Sequence, residues 1–173
     1  RQAINELAMG TNSKLNMQLG QSLRSLDWSG GFSSDEPHYV TWDSSWGQVD
    51  PRPRTPVITI YNGGVEGTSY PTYTAYSPAV VNGALTNLAR GIEGIDGAFN
   101  GLAHLDQWAD DPWVRGSYAG FGPGQYTAYW GFLAKREGNV YFAGEHTSTH
   151  SQGYLNGGVE SGEWIHAGML RRS

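Results

Sequence analysis

The side chains that could do chemistry in this sequence gather around residues 108–118 and 144–155, with one cation, Lys14, ahead of both. The later group contains Glu145, His146, a run of serines and threonines, and His150. A carboxylate with two imidazoles would suit a divalent metal, but a zinc-protease helix needs the order His-Glu-x-x-His. Here the glutamate comes first and the histidines fall in a Ser/Thr loop, so no metal is expected. A serine hydrolase would need a Gly-x-Ser-x-Gly elbow, which is absent. Gly120-Phe121-Gly122-Pro123-Gly124 is no dinucleotide fingerprint, because the third glycine is misplaced and Pro123 blocks a helix start. Taken singly, Glu145 is a solvated turn carboxylate and Lys14 a solvated strand lysine. Tyr118 and Tyr154 are separate half-buried tyrosines. Two tyrosine faces set together would receive an amine, but spacing alone does not bring these two together.

The elements that must position these residues are legible in part. Val140–Ala143 is a short apolar run with β-formers, ended by Gly144, and reads as a buried strand. Thr147, Ser148, Thr149 and Ser151 make a polar loop. From Leu155 a helical spacing follows, with Leu155, Val159, Gly162, His166, Met169 and Leu170 on one face. Gly158 and Gly162 lie one turn apart near that face. Each costs about 1 kcal/mol against alanine, so a close backbone approach by a cofactor or a sheet is expected there. Lys14 opens an alternating stretch to Leu19 that reads as a strand ended by Gly20. Leu15, Met17 and Leu19 face one way, and Lys14, Asn16 and Gln18 the other.

Around these, Ala3–Leu7 suggests one helical turn and residues 10–13 a turn. Residues 20–47 read as long and irregular, with Trp28, Trp42 and Trp46 packing on something else. Residues 51–56 form an extended proline-rich connector. Val57–Tyr61 is the clearest strand, closed by Asn62-Gly63-Gly64. Residues 68–78 read as a loop. A helix is expected over Ala79–Ile95, begun by Ser77-Pro78 and extended over Ala98–Leu102. His104–Ala109 is a short strand candidate, Asp110-Asp111-Pro112 a turn, and Ser117–Phe121 a glycine-weakened strand.

A chain of 173 residues can bury one ordinary core. A net charge of −5 leaves no basic footprint, so nucleic acid is not an expected partner. No apolar stretch is long enough to span a bilayer, and none is expected to. The sequence opens on Arg1 rather than methionine, and no signal-peptide pattern is expected in its first residues. The absence of cysteine excludes disulfides and thiolate metal sites and leaves the compartment undecided. With 25 glycines, 7 tryptophans and 10 tyrosines, the composition suits a pocket for a flat organic ligand as well as an ordinary loop-rich α/β core. Good strands separated by long loops, with only two good helices, suggest part of a larger fold. The alternative is a small α+β domain with long functional loops.

Phe142-Ala-Gly-Glu-His-Thr-Ser148 followed by Gly153-Tyr-Leu-x-Gly-Gly-x-x-Ser-Gly-Glu163 resembles the C-terminal FAD-binding segment of the flavin-containing amine oxidases, which include monoamine, polyamine and L-amino-acid oxidases. Trp108-Ala-Asp-Asp-Pro-Trp-Val-Arg-Gly-Ser-Tyr118 and Met9-Gly-Thr-Asn-Ser-Lys14 also resemble that family. The resemblance runs from Met9 to about Met169 and covers only the C-terminal part of the family's length. It implies an α/β fold, the C-terminal part of a two-domain FAD-dependent oxidase. Residues 1–105 would belong mostly to the substrate domain, and residues 106–173 to the FAD-contacting segment.

The resemblance also implies roles. Lys14 would hold a water near flavin N5 and steady the negative charge that develops with oxygen. Tyr118 and Tyr154 would be the two walls of the substrate cage. Trp108 would pack against the flavin, and Gly144 and Glu145 would meet the FAD, with Glu145 accepting from a ribose or ribityl hydroxyl. Gly153 would permit close approach, and the Leu155 N–H, at a helix N-terminus, would face the flavin pyrimidine edge. Covalent monoamine oxidases carry a flavin-bonded cysteine before the tyrosine; Ser117 stands there, so FAD would be bound non-covalently. The reaction implied is hydride transfer from the carbon alpha to an amine onto N5, hydrolysis of the imine, and reduction of O2 to H2O2.

The family's Gly-x-Gly-x-x-Gly motif is missing. The expected partner is therefore a chain or fragment carrying the N-terminal FAD-binding half, as in a processed hetero-oligomer that is inactive as this chain alone. That reading favours an L-amino-acid oxidase slightly over a monoamine or polyamine oxidase. The carboxylate clamp an amino acid needs is not evident, since Arg115 shows no sign of pocket placement and the clamp could lie on the other half. From a different class, the chain could be a non-catalytic binding module that keeps the fold.

Overall fold

A computed structural model describes residues 1–35, 40–47, 55–69 and 78–170, with the Leu170 side chain excluded. Most of the proline-rich connector (51–54), most of the 68–78 loop (70–77) and the helix-starting Ser77 lie outside the described residues. In chain order the elements begin with α1 (Gln2–Glu6), β1 (Ala8–Met9), β2 (Ser13–Leu19), a 3-10 turn (Leu23–Leu26), β3 (Gly31–Ser33) and β4 (Val40–Asp43). There follow β5 (Val57–Asn62), α2 (Gly64–Gly67), α3 (Pro78–Leu88), α4 (Ile95–Ala98), β6 (Phe99–Gln107) and a 3-10 turn (Trp108–Asp110). Last come β7 (Ala119–Gly120), α5 (Gln125–Tyr129), a 3-10 turn (Glu145–Thr147) and α6 (Leu155–Leu170). The chain divides into two compact units, Thr11–Ser117 and Arg1–Gly10 with Tyr118–Ser173. No helix among the described residues is long and apolar enough to cross a membrane.

Thr11–Ser117 is built on a five-stranded sheet, ordered β3-β4-β5-β2-β6, with every neighbouring pair antiparallel. β2 alternates as its sequence indicates: Leu15, Met17 and Leu19 are fully buried, while Lys14, Asn16 and Gln18 are half-buried on the opposite face. Leu15 stands directly across from Ile60 on one side and Leu105 on the other. Val81, Ala84, Leu85 and Leu88 of α3 close over this apolar face, joined by Ile92 and Ile95. Fully burying a leucine or isoleucine contributes about 1.5–3 kcal/mol, so this layer is the main source of the unit's stability.

Three expectations in this unit are corrected. Residues 20–47 are not wholly irregular, because β3 and β4 pair with each other and β4 pairs onto β5. The helix expected over Ala79–Ile95 stops at Leu88. Ile92 and Ile95 keep the helical spacing because they fill the same core, but Gly91 and Gly94 interrupt the backbone's helical run. Ala98–Leu102 does not extend a helix: β6 begins at Phe99 and ladders onto β2 as far as Gln107, so that pairing outweighs local propensity.

In the other unit, β1 and β7 form a two-stranded antiparallel ribbon, and the Gly10 N–H donates to the Tyr118 carbonyl at 2.6 Å. The strand expected over Ser117–Phe121 shrinks to Ala119–Gly120. α1 is tied to α5 through Gln125 Nε2, which donates to the Glu6 carbonyl at 2.8 Å, and through the Tyr129 hydroxyl, which donates to the Glu6 carboxylate. Phe121, Tyr126 and Trp130 cluster, with Tyr126 and Trp130 stacked at 4.7 Å between centroids.

Val140–Ala143 is not a buried strand. Val140 makes one isolated bridge to Glu137 and is 55% exposed. A strand's backbone groups need a ladder partner, and among the described residues none runs beside this segment. α6 has the expected extent but presents the opposite face. Leu155 is 95% exposed and Val159 64%, and Gly162 and His166 are exposed too, whereas Gly157 and Ser161 are buried. The close approach falls at Gly157, where a Cβ would lie 2.2 Å from the Ser151 carbonyl oxygen. A Cβ at Gly158 or Gly162 would meet nothing within 4 Å.

Candidate functional site

The expected site residues divide between the two units: Lys14, Trp108 and Ser117 in one, and Tyr118, Gly144, Glu145, Gly153, Tyr154 and Leu155 in the other.

In Thr11–Ser117, the alternation of β2 sends Lys14 to the polar face, where register sets it opposite Tyr61 of β5 and Asp106 of β6. Its ammonium lies 5.7 Å from the centroid of the Tyr61 ring and 5.6 Å from that of Trp108, within the range of cation–π attraction. The side chain is therefore held between two rings on neighbouring elements rather than left in solvent. Tyr61 itself meets Trp42 at 5.8 Å between centroids. Ser117 is fixed just upstream of Lys14, since its hydroxyl donates to Asn12 Oδ1 at 2.7 Å and accepts from the Asn12 N–H at 3.4 Å.

In the other unit the 3-10 turn at Glu145 is fastened to α6, because the Gly144 N–H donates to Ser161 Oγ at 2.9 Å. The half-buried Glu145 carboxylate reaches both tyrosine segments. Oε1 accepts from the Ala119 N–H at 2.7 Å and Oε2 from the Gly153 N–H at 2.7 Å. Tyr118 and Tyr154 remain open to solvent, 41% and 70% exposed. Gly153 lies beside the Tyr118 ring, where a Cβ would stand 3.9 Å from Cδ2, and its φ of +81° favours glycine. The Leu155 N–H opens α6 with no acceptor among the described residues. This edge thus carries an exposed donor at the positive end of a helix, a glycine with positive φ and two solvent-exposed tyrosines. His150 is engaged locally, with Nδ1 3.1 Å from Glu160 Oε1, and Ser148 Oγ donates to Glu160 Oε2 at 2.5 Å.

Two participants escape the sequence. Tyr61 was visible as the end of the clearest strand, but only the β2–β5 register puts it beside Lys14. Asn12 was visible only as a turn residue. Glu145 was visible as a carboxylate, but its two donors come from 26 and 8 residues away.

A profile of the family described as "Flavin containing amine oxidoreductase" matches residues 1–163. Flavin-containing amine oxidase B of Cavia porcellus is 44% identical over 57 residues, which are 32% of this chain and 11% of that protein. Pseudooxynicotine dehydrogenase of a Pseudomonas species is 40% identical over 58 residues, 34% of this chain and 12% of that protein. Among solved structures, cyclohexylamine oxidase from Brevibacterium oxydans IH-35A superposes with a TM-score of 0.81 at 20% identity, over 99% of this chain and 37% of that one. Wild-type putrescine oxidase bound to putrescine gives 0.82 at 17% identity, over 98% and 37%. The likeness to these structures is one of fold, mixed α/β with antiparallel sheets, and the chain spans a little over a third of their length.

Proposed function

This chain belongs to the flavin containing amine oxidoreductase family, and from that premise we propose that it is part of an FAD-dependent oxidase converting an amine to an imine, with O2 reduced to H2O2. Bound FAD would supply the two-electron acceptor for the hydride leaving the carbon next to nitrogen. The observation that best supports this reading is the tyrosine pair: two exposed rings whose backbones are tied to one carboxylate. Tyr118 and Tyr154 would receive and orient the amine between π faces. Lys14, held by Tyr61 and Trp108, would present positive charge where charge develops during oxygen reduction. Gly144, Gly153 and the Leu155 N–H would meet the flavin, and Trp108 would lie against it. No side-chain acid or base is required if the amine arrives neutral.

FAD would be held non-covalently, since Ser117 occupies the place of the linking cysteine and is already engaged with Asn12. The grip on the pyrophosphate would come from a partner chain or fragment. An amine is preferred to an L-amino acid, because three of the four named relatives are by name oxidases of amines, and among the described residues no cation lies in contact with Tyr118 or Tyr154 to clamp a carboxylate. The test is a peroxide-release screen of primary amines, polyamines and L-amino acids on the assembled protein, with its visible spectrum. Flavin bands and peroxide from amines are expected. An assembly without flavin would instead favour a binding module.

A further inference from the structure

We propose that Glu145 is a positioning residue that sets the separation of Tyr118 and Tyr154, so that the aromatic pair is formed before an amine arrives. The inference rests on the amine-oxidase reading above. The peptide N–H that follows Tyr118, at Ala119, donates to Oε1 at 2.7 Å, and the N–H that precedes Tyr154, at Gly153, donates to Oε2 at 2.7 Å. Both are short, charge-assisted bonds, and a planar carboxylate fixes the distance between its own oxygens. One side chain therefore spans the two segments, at the peptide that follows Tyr118 and at the Gln152–Gly153 peptide, one residue before Tyr154. The anchor is itself immobilised, since the Thr147 N–H donates to the Gly144 carbonyl at 3.0 Å and Ser161, which receives the Gly144 N–H, donates on to the Gly158 carbonyl at 2.8 Å. Further bonds hold the same segments: the Tyr118 carbonyl, in the same peptide as the Ala119 N–H, accepts from Gly10 at 2.6 Å, and the Tyr154 N–H donates to the Ser151 carbonyl at 3.2 Å. The backbones are fixed while the rings stay exposed, the arrangement expected of a preformed receptor.

The residue type follows from the geometry. Glutamine has the same length but only one acceptor, so its NH2 would face an N–H donor and one bond would be lost. Aspartate is one methylene short of spanning both donors. Glu145 acts here through the tyrosines, not on the amine, and its two short bonds leave a lone pair on each oxygen for a cofactor hydroxyl.

The experiment compares the assembled flavoprotein with its Glu145→Gln and Glu145→Asp variants. It measures FAD content and affinity, KM and kcat for butylamine and benzylamine, and hydrogen–deuterium exchange at the amides of Ala119 and Gly153. Faster exchange at both amides is expected in Glu145→Gln, with KM in the FAD-loaded fraction raised about tenfold and kcat changed much less. Glu145→Asp is expected to behave in the same way, and it serves alone if the glutamine variant does not fold. Unchanged exchange at the two amides overturns the proposal. So does loss of FAD with KM unaltered, which would make Glu145 a cofactor ligand. If the parent oxidises no amine, the amine-oxidase reading falls, and the exchange measurement still decides whether Glu145 ties the two segments.

Discussion

At the scale of single residues, the position of Lys14 is the feature most directly open to test. A lysine set between two rings has an orientation that a solvated lysine lacks, and its value depends on charge placed in advance. In the assembled flavoprotein, Lys14→Met is expected to slow the oxygen-consuming half of the cycle about a hundredfold and the amine-consuming half only a few-fold. Stopped-flow measurement of the two halves checks this, and equal slowing of both would remove the assigned role. How much of this site the sequence reveals depends on the range of the contact. The facing of Lys14 is legible because β2 alternates, a property of one strand. Its neighbours Tyr61 and Trp108 are not, because they arrive through the register of β5 and the turn after β6. The same limit explains why Glu145 reads as an ordinary turn carboxylate until folding delivers two distant N–H groups to it.

At the scale of elements, α6 carries a prediction that separates its glycines. Gly157→Ala would drive a methyl into the Ser151 carbonyl and is expected to destabilise the chain by about 2–3 kcal/mol. Gly158→Ala and Gly162→Ala meet no neighbour and are expected to gain about 0.5–1 kcal/mol each through helix propensity. Urea midpoints of the three variants of the 173-residue chain check the order. The extent of α6 is legible from its spacing, but the face it buries is not, since a periodic apolar stripe marks a contact without saying which chain makes it. The α1–α5 link adds a pH dependence. The hydrogen bond from Tyr129, then that from Gln2, holds the Glu6 carboxyl below its usual range, and the same bond to Glu6 pushes the Tyr129 hydroxyl up. The Glu6 contribution is therefore present above the ordinary carboxylate pKa of about 4.3 and lost as pH falls through the lowered value. The Tyr129 contribution is present below about pH 10 and lost as pH rises through the raised value. Unfolding of Tyr129→Phe followed across pH should lose the alkaline limb entirely and the acid limb in part, because Gln2 still bonds Glu6.

At the scale of the whole molecule, the two units differ in what holds them. Every residue of the buried apolar cluster lies within Thr11–Ser117. In the other unit the buried apolar residues among those described are Ala119 and Tyr129. A peptide of residues 11–117 is accordingly expected to fold cooperatively by itself, and the remaining segments joined by a short linker are not; far-UV circular dichroism with urea titration distinguishes the two. The α/β class and the family were legible because they rest on local motifs, whereas the division at 10/11 and 117/118 was not, because it depends on where distant segments close. That closure has a consequence in time. Thr11–Ser117 is continuous, so it can close as a folded body once it emerges from the ribosome, with no residue of the following segment needed. Arg1–Gly10 precedes that unit but cannot complete β1 until β7 follows, nor can the Gly10 N–H find its acceptor before then. Residues 1–10 thus wait through the synthesis of an entire unit, and the two tyrosine segments become neighbours only once Gly153 has followed Glu145.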